Sequence, residues 1–489
     1  MFKKVAIVLG LALTMVVVAA GVMYLMGLRV VLDGGGSPTL RFPRSADDQA
    51  DAIARHREAQ RQAASGTTAP PAPGVPASPA PAADPPGATA AARPAESTHA
   101  PKSSPYWTDF RGPARDGHYR QQQIRTNWPA SGLQPLWKQP VGGGYASFVT
   151  ANGSAFTIEQ RAAKEVAAAY DIATGRELWT HSWDAMFHEM MGGDGPRATP
   201  TWHDGRLYAL GATGELRCLD ASTGKLLWRT NVLEDAGASN LQWGMAAAPL
   251  VVDDNVIVVP GGQNGKSVIA YNRVTGRQEW SALNDTAAYA SPMLVTLAGI
   301  RQILVFSASR LMGITPGRGD VLWEYAWTTQ YGVNASQPLL LDDRRVFVST
   351  GYGTGAAAIE LTSAGDGRLS VKELWRTNRM KNQFTSSVLH EGFIYGLDEA
   401  ILACLDAATG ELKWKGGRYG YGQVALASGH LIVLSEGGEL ALVRATPENH
   451  QEIARFPAIE GKTWSHPALS EGFLLIRNIS EMAAFDLRR

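Results

Sequence analysis

The sequence predicts an all-β protein: an eight-bladed β-propeller of four-stranded antiparallel blades, closed by N- and C-terminal strands and preceded by an N-terminal transmembrane helix. Three observations carry this expectation. A ten-residue pattern ending in tryptophan recurs at the spacing of one blade, eight apolar strand starts accompany it, and an uncharged stretch near the N-terminus is long enough to cross a bilayer.

The pattern is clearest at residues 170–179, 219–228 and 405–414. There Asp171, Asp220 and Asp406 precede Gly175, Gly224 and Gly410, and the segments end on Trp179, Trp228 and Trp414. At 271–280 Asn272 replaces the acid, and at 314–323 only Gly319 and Trp323 remain. A copy at 359–375 has an enlarged hairpin, and one at 442–456 keeps only the strand pattern. An Asp side chain hydrogen-bonds its own backbone two residues on, and Gly supplies the positive φ of a tight hairpin. The Trp then falls on the next strand, where its flat ring fills the gap between neighbouring sheets. Each copy therefore marks the hairpin joining the two outer strands of a blade, and recurrence every roughly 40–50 residues is a four-stranded blade period.

Apolar strands beginning near Ser147, Thr199, Ala248, Ser291, Gln337, Ser386, Gln423 and His466 each lead into an inner hairpin. These are eight starts against seven complete outer hairpins. The eighth blade is expected to be composite, with residues 482–487 as its third strand and 135–137 as its outer strand. Closing the ring this way removes the exposed sheet edge that invites aggregation.

Lys3 and Lys4 precede an uncharged run from Val5 to Leu28. A helix needs roughly 20 apolar residues to span the hydrocarbon core, and a cleaved signal peptide has a shorter apolar region. Residues 1–32 are therefore expected to be a signal anchor, with Val18-Ala19-Ala20 as the alternative cleavage site. Lys3 and Lys4 favour a cytoplasmic N-terminus, against Arg29, Arg41 and Arg44 on the far side. That places the chain in the bacterial inner membrane as a single-pass protein with its body in the periplasm. Residues 33–104 read as an Ala/Pro-rich, largely disordered linker holding the body off the bilayer, with a short solvated helix over 45–64. Residues 105–489 are the propeller. Lys+Arg and Asp+Glu both number 45, so no basic surface for nucleic acid exists. The two cysteines, Cys218 and Cys404, are too few for a disulfide framework or a thiolate zinc site. Each precedes the Leu-Asp of a repeat and reads as a small buried residue on an equivalent third strand.

On these repeats the chain resembles the PQQ-like (quinoprotein-type) β-propeller family, which includes quinoprotein alcohol dehydrogenases and the outer-membrane assembly lipoprotein BamB. The run from Trp107 through Asp109, Arg111, Arg115 and Gly117 is similar to the opening segment of a bacterial PQQ-binding-like repeat branch. It otherwise reads as a strap packed on the propeller. For a dehydrogenase the resemblance implies PQQ on the propeller axis, a calcium or lanthanide ion and a catalytic Asp. It often implies adjacent cysteines as well. This chain has no vicinal Cys pair and no haem-attachment motif.

The connections from each outer strand to the next blade all reach one face, around the axis, and are unusually rich in large residues. Tyr145, Trp243, Tyr289, Tyr331, Phe384, Tyr421 and Trp464 stand there with Arg197, Asn334, Asn382, Gln383, Gln423 and His466. Loops on a rigid scaffold are where binding residues collect, and flat aromatic walls with convergent polar groups suit a planar ligand. The candidate cofactor- or ligand-binding set is Tyr145, Arg197, Trp243, Tyr289, Asn334, Gln383, Tyr421, Trp464 and His466. The competing reading is that these rings plug the axis and pack between blades. No catalytic or metal-binding residue is assigned. Asp184, Glu189, Asp194, Glu234, Asp235 and Asp285 form no linear calcium loop, and His181, His188 and the nearby methionines lie in a loop expected to be mobile. Gly261–Ser267 and Gly351–Gly355 lack the strand-to-helix context of nucleotide loops and read as hairpins. The expected function is a binding or scaffolding module. It would act through the axial loop face on a periplasmic protein partner or a planar small ligand. The alternative is a PQQ-dependent alcohol or sugar dehydrogenase.

Overall fold

A computed structural model describes residues 18, 21–25, 28–41, 45–65, 105–365 and 367–489. Among the described residues, eight antiparallel blades are arranged in sequence order. The first runs from Val149–Ala151 to Glu177–Asp184 and the seventh from Gln423–Ala427 to Glu452–Pro457. The eighth is the expected composite. Its strands Ala468–Ser470, Phe473–Arg477 and Glu481–Asp486 are joined by an outer strand, Trp137–Pro140, with Ala484 opposite Trp137. The two closing strands are thus shifted by one to three residues from those read in the sequence. Blade 7 gains a fifth strand, His118–Tyr119, which lies parallel on Gln423–Ala427. Blade 5 carries the enlarged outer hairpin, with strands Gly355–Gly365 and Arg368–Thr377.

The repeat pattern builds a girdle between blades. The Trp137 indole donates to the Ile172 carbonyl at 2.8 Å, Trp179 to Ala221 at 3.0 Å, Trp228 to Arg273 at 3.1 Å, Trp375 to Ala407 at 3.1 Å and Trp414 to Thr446 at 2.8 Å. In each case the ring lies against the next blade's hairpin. A Cβ on Gly175 would meet Trp137 at 2.6 Å, and one on Gly410 would meet Trp375 at 2.5 Å. Where the motif is degraded the girdle changes. Trp323 turns to Gln302 of its own blade (2.5 Å), and the Trp280 indole N–H is buried without a partner among the described residues. Gly410 has φ +74°, so Gly410→Ala combines backbone strain with a clash. The expected loss is about 1–3 kcal/mol, read as a lower urea midpoint at unchanged slope.

Cys218 and Cys404 occupy equivalent third-strand positions opposite Trp228 and Trp414. Burial pushes their thiols up to about 11 and about 12, which leaves both inert at neutral pH.

The segment before the propeller departs from the sequence reading. Most of the expected membrane span lies outside the described residues, and no helix among them is long and apolar enough to cross a membrane. Arg29–Leu32, placed at the end of that span, is instead a strand paired with Pro38–Arg41. The Asp33 carboxylate accepts the N–H groups of Gly35 (2.9 Å) and Ser37 (2.7 Å), a tight turn that local side-chain bonding makes favourable. The helix Ala46–Ser65 is not solvated all round. Ile53 and Arg57 are buried against the closing seam. Arg57 donates to Gln139 at 2.9 Å and reaches Glu177 at 3.3 Å, and Gln49 donates to the Val141 carbonyl at 2.6 Å. This helix covers Trp137–Pro140, the outer strand of the composite blade, and so protects the edge where the ring is closed.

Candidate functional site: the axial loop face

Antiparallel order places all outer-to-inner connections on one face, with the inner and outer hairpin turns on the other. The aromatic candidates fall into two groups on the connection face. Trp464 lies 4.9 Å from Tyr145 and 4.6 Å from Phe384, and Phe384 lies 6.0 Å from Tyr421 (ring centroids). Across the face Trp243 packs on Tyr289 at 5.6 Å, and Tyr331 on Tyr352 at 5.7 Å. Tyr331 is 63 % exposed.

The first group is internally saturated. The Tyr145 hydroxyl donates to the Gly192 carbonyl at 2.9 Å, and burial raises its phenol above the ordinary range. Arg197 stands over Phe187 at 4.7 Å and pairs with Glu189 at 3.0 Å. Glu436, absent from the sequence candidates, accepts from the Trp464 indole at 2.9 Å and from the Tyr421 N–H at 3.1 Å. Lys462, also missed, stands over the Trp464 ring at 4.6 Å. Lys462 lies in the same connection as Trp464, whereas Glu436 lies in the turn between the two middle strands of blade 7, which reaches the same face but is not one of the connections between blades.

Three further candidates pack within the protein. Asn334 is fully buried between blades 4 and 5, donating to the Ser307 carbonyl (2.8 Å) and accepting from Thr350 (2.9 Å). Gln383 packs against Gly351, and its side-chain oxygen has no partner among the described residues. His466 belongs to a ring of contacts made by the strand starts themselves. Thr199 accepts the Ser147 N–H (2.9 Å), Ser291 that of Ala248 (2.9 Å), Gln337 that of Ser291 (2.6 Å) and Ser386 that of Gln337 (3.0 Å). Gln423 bonds the carbonyls of Phe384 (3.2 Å) and Trp464 (3.0 Å), and His466 lies 3.0 Å from the Val424 carbonyl. The eight starts thus hold neighbouring blades together at the axis.

Burial, with Arg111 adding repulsion, pushes the His466 imidazole down to about 3, and burial pushes His118 down to about 4. The unfolded chain takes up protons that these folded histidines refuse. Stability is therefore full above about pH 6.5 and falls as pH drops, His466 contributing about 1.4 kcal/mol per unit until its folded value is reached and the partly exposed His118 a smaller, solvent-screened share. Urea midpoints of wild type and His466→Gln, compared between about pH 7 and pH 4, should diverge by that slope, the wild type losing stability faster.

The far end of the axis is closed by the Trp107–Gly117 segment, so the strap reading holds. Thr150 donates to the Trp107 carbonyl and Trp202 to that of Thr108, at 2.8 and 2.9 Å. Arg111 and Arg115, at left-handed φ of 64° and 54°, are both buried. Arg111 donates to the Ser387 carbonyl at 2.8 Å. Arg115 donates to the carbonyls of Pro292 (2.9 Å), Pro249 (2.5 Å) and Ala248 (3.3 Å) and pairs with Asp109 at 2.9 Å. Such φ values disfavour any side chain, so the two positions are held by what the guanidinium groups tie together, strands of blades 3, 4 and 6.

The donor set does not fit PQQ with a calcium ion. A hard cation needs several convergent oxygens, and among the described residues no three His, Cys, Asp or Glu converge. The nearby acids are engaged elsewhere: Asp194 with His188 (2.6 Å), Asp235 with Tyr271 (2.7 Å), Asp285 with Arg310 (2.7 Å) and Glu189 with Arg197. The His188 loop contains a small hairpin, His188–Glu189 paired with Gly193–Asp194. Gly261–Ser267 and Gly351–Gly355 link the two middle strands of blades 3 and 5.

Residues 162–416, more than half of the chain, match the family described as outer membrane protein assembly factor BamB. The chain belongs to this BamB family of PQQ-like repeat propellers. The BamB protein of Bordetella pertussis (strain Tohama I) is 23 % identical over 308 residues, which cover 61 % of this chain and 72 % of that one. The crystal structure of BamB from Moraxella catarrhalis matches with a TM-score of 0.52 and 14 % identity, over 72 % of this chain and 99 % of that one. A europium-containing methanol dehydrogenase matches at 0.59 and 12 % identity, over 79 % and 99 %. The quinohemoprotein alcohol dehydrogenase of Comamonas testosteroni matches at 0.55 and 13 %, over 78 % and 80 %. At these identities the solved structures share the fold with this BamB-family chain and carry no activity to it.

Proposed function

We propose that this chain is a membrane-anchored, non-catalytic propeller of the bacterial envelope. It would hold a protein partner on its axial loop face as an outer membrane protein assembly factor, the description carried by its family and its Bordetella relative. Residues 5–28 would anchor it in the inner membrane and leave the propeller in the periplasm. One observation carries this reading: the polar groups around Trp464 are used internally, whereas the Tyr331 side of the same face offers an exposed aromatic rim beside Tyr352. An exposed aromatic on a rigid loop is the usual anchor of a protein interface.

A photoreactive residue at Tyr331 should give a discrete cross-linked protein adduct in intact cells. The same residue at Val274, an exposed position in the outer turn of blade 3 on the opposite face, should give none. Equal yields at both positions, or none at Tyr331, would overturn the reading.

A further inference from the structure

The N-terminal hairpin is docked on the loop face, and the docking is specific. The Gly34 N–H donates to Glu436 at 2.7 Å, and a Cβ on Gly34 would meet the Tyr421 side chain at 2.6 Å. The Lys462 ammonium donates to the Leu32 carbonyl of the hairpin and to the Met191 carbonyl of the blade 1 to blade 2 connection. One cation therefore ties the hairpin to the loop bearing Met186 and Met190.

The two faces of the hairpin differ. Val31 and Thr39 face inward and line a cavity of about 270 Å³ with Arg418, Tyr419 and Glu436. On the outer face Val30 stands directly opposite Leu40, and the two are 62 % and 67 % exposed. Met190 of the tethered loop is 83 % exposed. All three are uncovered, and the Lys462 tether sets the Met190 loop beside the hairpin.

What covers these side chains is indicated by the chain itself. The hairpin begins within a few residues of Val22, Met23, Tyr24 and Leu25, all exposed and apolar. At its open end Arg29 lies in register with Arg41. The Arg29 side chain is exposed there, and an anionic phosphate layer would attract its charge. Basic side chains beside exposed apolar ones are the composition of an interfacial membrane contact.

We infer that the Val30, Leu40 and Met190 edge rests in the headgroup region of a phospholipid bilayer, so that the propeller lies with one side of its loop face against the membrane. The side bearing Trp243, Tyr289 and Tyr331 then stays open to the partner. This rests on the reading of residues 5–28 as a membrane anchor. It replaces the expectation of a body held away from the bilayer by its linker.

The test uses the full chain reconstituted in phosphatidylcholine vesicles containing phosphatidylglycerol. Cys218 and Cys404 are buried, so thiols introduced by Met190→Cys, Leu40→Cys or Val274→Cys can be labelled singly with an environment-sensitive fluorophore. Positions 40 and 190 should be quenched several-fold more strongly than 274 by lipids spin-labelled near the headgroup. Gly34→Val, which collides with Tyr421, should detach the hairpin and lower quenching at 190 while the protein still floats with the vesicles. Failure of the full chain to float would overturn the inference through its anchor. Flotation with 40 and 190 no more quenched than 274 would overturn the docking alone and leave the anchor standing.

Discussion

Replacing Arg115 with methionine is expected to lower the stability of the propeller by about 3–5 kcal/mol, the usual cost of removing one partner from a buried ion pair. The size follows from what the guanidinium holds. It reaches three backbone carbonyls on blades 3 and 4, the Thr201 hydroxyl of blade 2 at 3.3 Å, and Asp109 of its own segment. Methionine fills much of the volume and satisfies none of them, so the Ala248 and Pro292 carbonyls lose this donor and Asp109 loses its cation, while Pro249 keeps the Thr201 hydroxyl and Asp109 that of Thr108. Adding Asp109→Asn should recover part of the loss, because the stranded charge goes with it. Urea unfolding of the four proteins in that cycle measures the coupling. A loss below about 1 kcal/mol, the scale of one ordinary hydrogen bond, would mean that the segment lies on the propeller without closing it.

A chain truncated after Ser480 should lose its cooperative unfolding transition. The strand Glu481–Asp486 lies between Phe473–Arg477 and the outer strand Trp137–Pro140, and it is the only link between them in that sheet. Met482, Phe485 and Leu487 are all buried. Their removal forfeits roughly 5–9 kcal/mol of apolar burial, against a total stability of about 5–15 kcal/mol for a typical domain. Two unpaired strand edges would also be exposed, with aggregation as the consequence. Circular dichroism and size-exclusion chromatography check this: a monomer with the wild-type melting temperature would contradict closure through the composite blade.

The blades were legible because most of them announce themselves twice, through a Gly-to-Trp hairpin and through an apolar inner strand. Even the composite blade followed from counting the two signals against each other. The site was less legible. Whether a residue in a blade connection points to the axis or between blades depends on a one-residue step that composition does not reveal. Tyr331 and Asn334 share a connection, yet one is exposed and the other fully buried. His466 and Gln423 looked like ligand-binding polar groups because strand-start residues that bond neighbouring blades carry the same chemistry. Arg111 and Arg115 gave no periodic signal, since an arginine at left-handed φ in an irregular segment has no pattern to match. The hairpin Arg29–Arg41 did carry a turn signal in Asp33-Gly34-Gly35-Gly36. It was masked by the apolar stretch before it, into which its first strand was read.

The strap and the strand starts close the axis of this propeller, and the proposed function places binding on the loop face instead. The most direct measurement is incubation of the purified full chain with PQQ and calcium, followed by gel filtration and a dye-linked assay with alcohols and sugars. The quinone absorbance is expected to separate from the protein, and no substrate is expected to drive dye reduction. A stoichiometric quinone band travelling with the protein, together with alcohol- or sugar-dependent dye reduction, would contradict it.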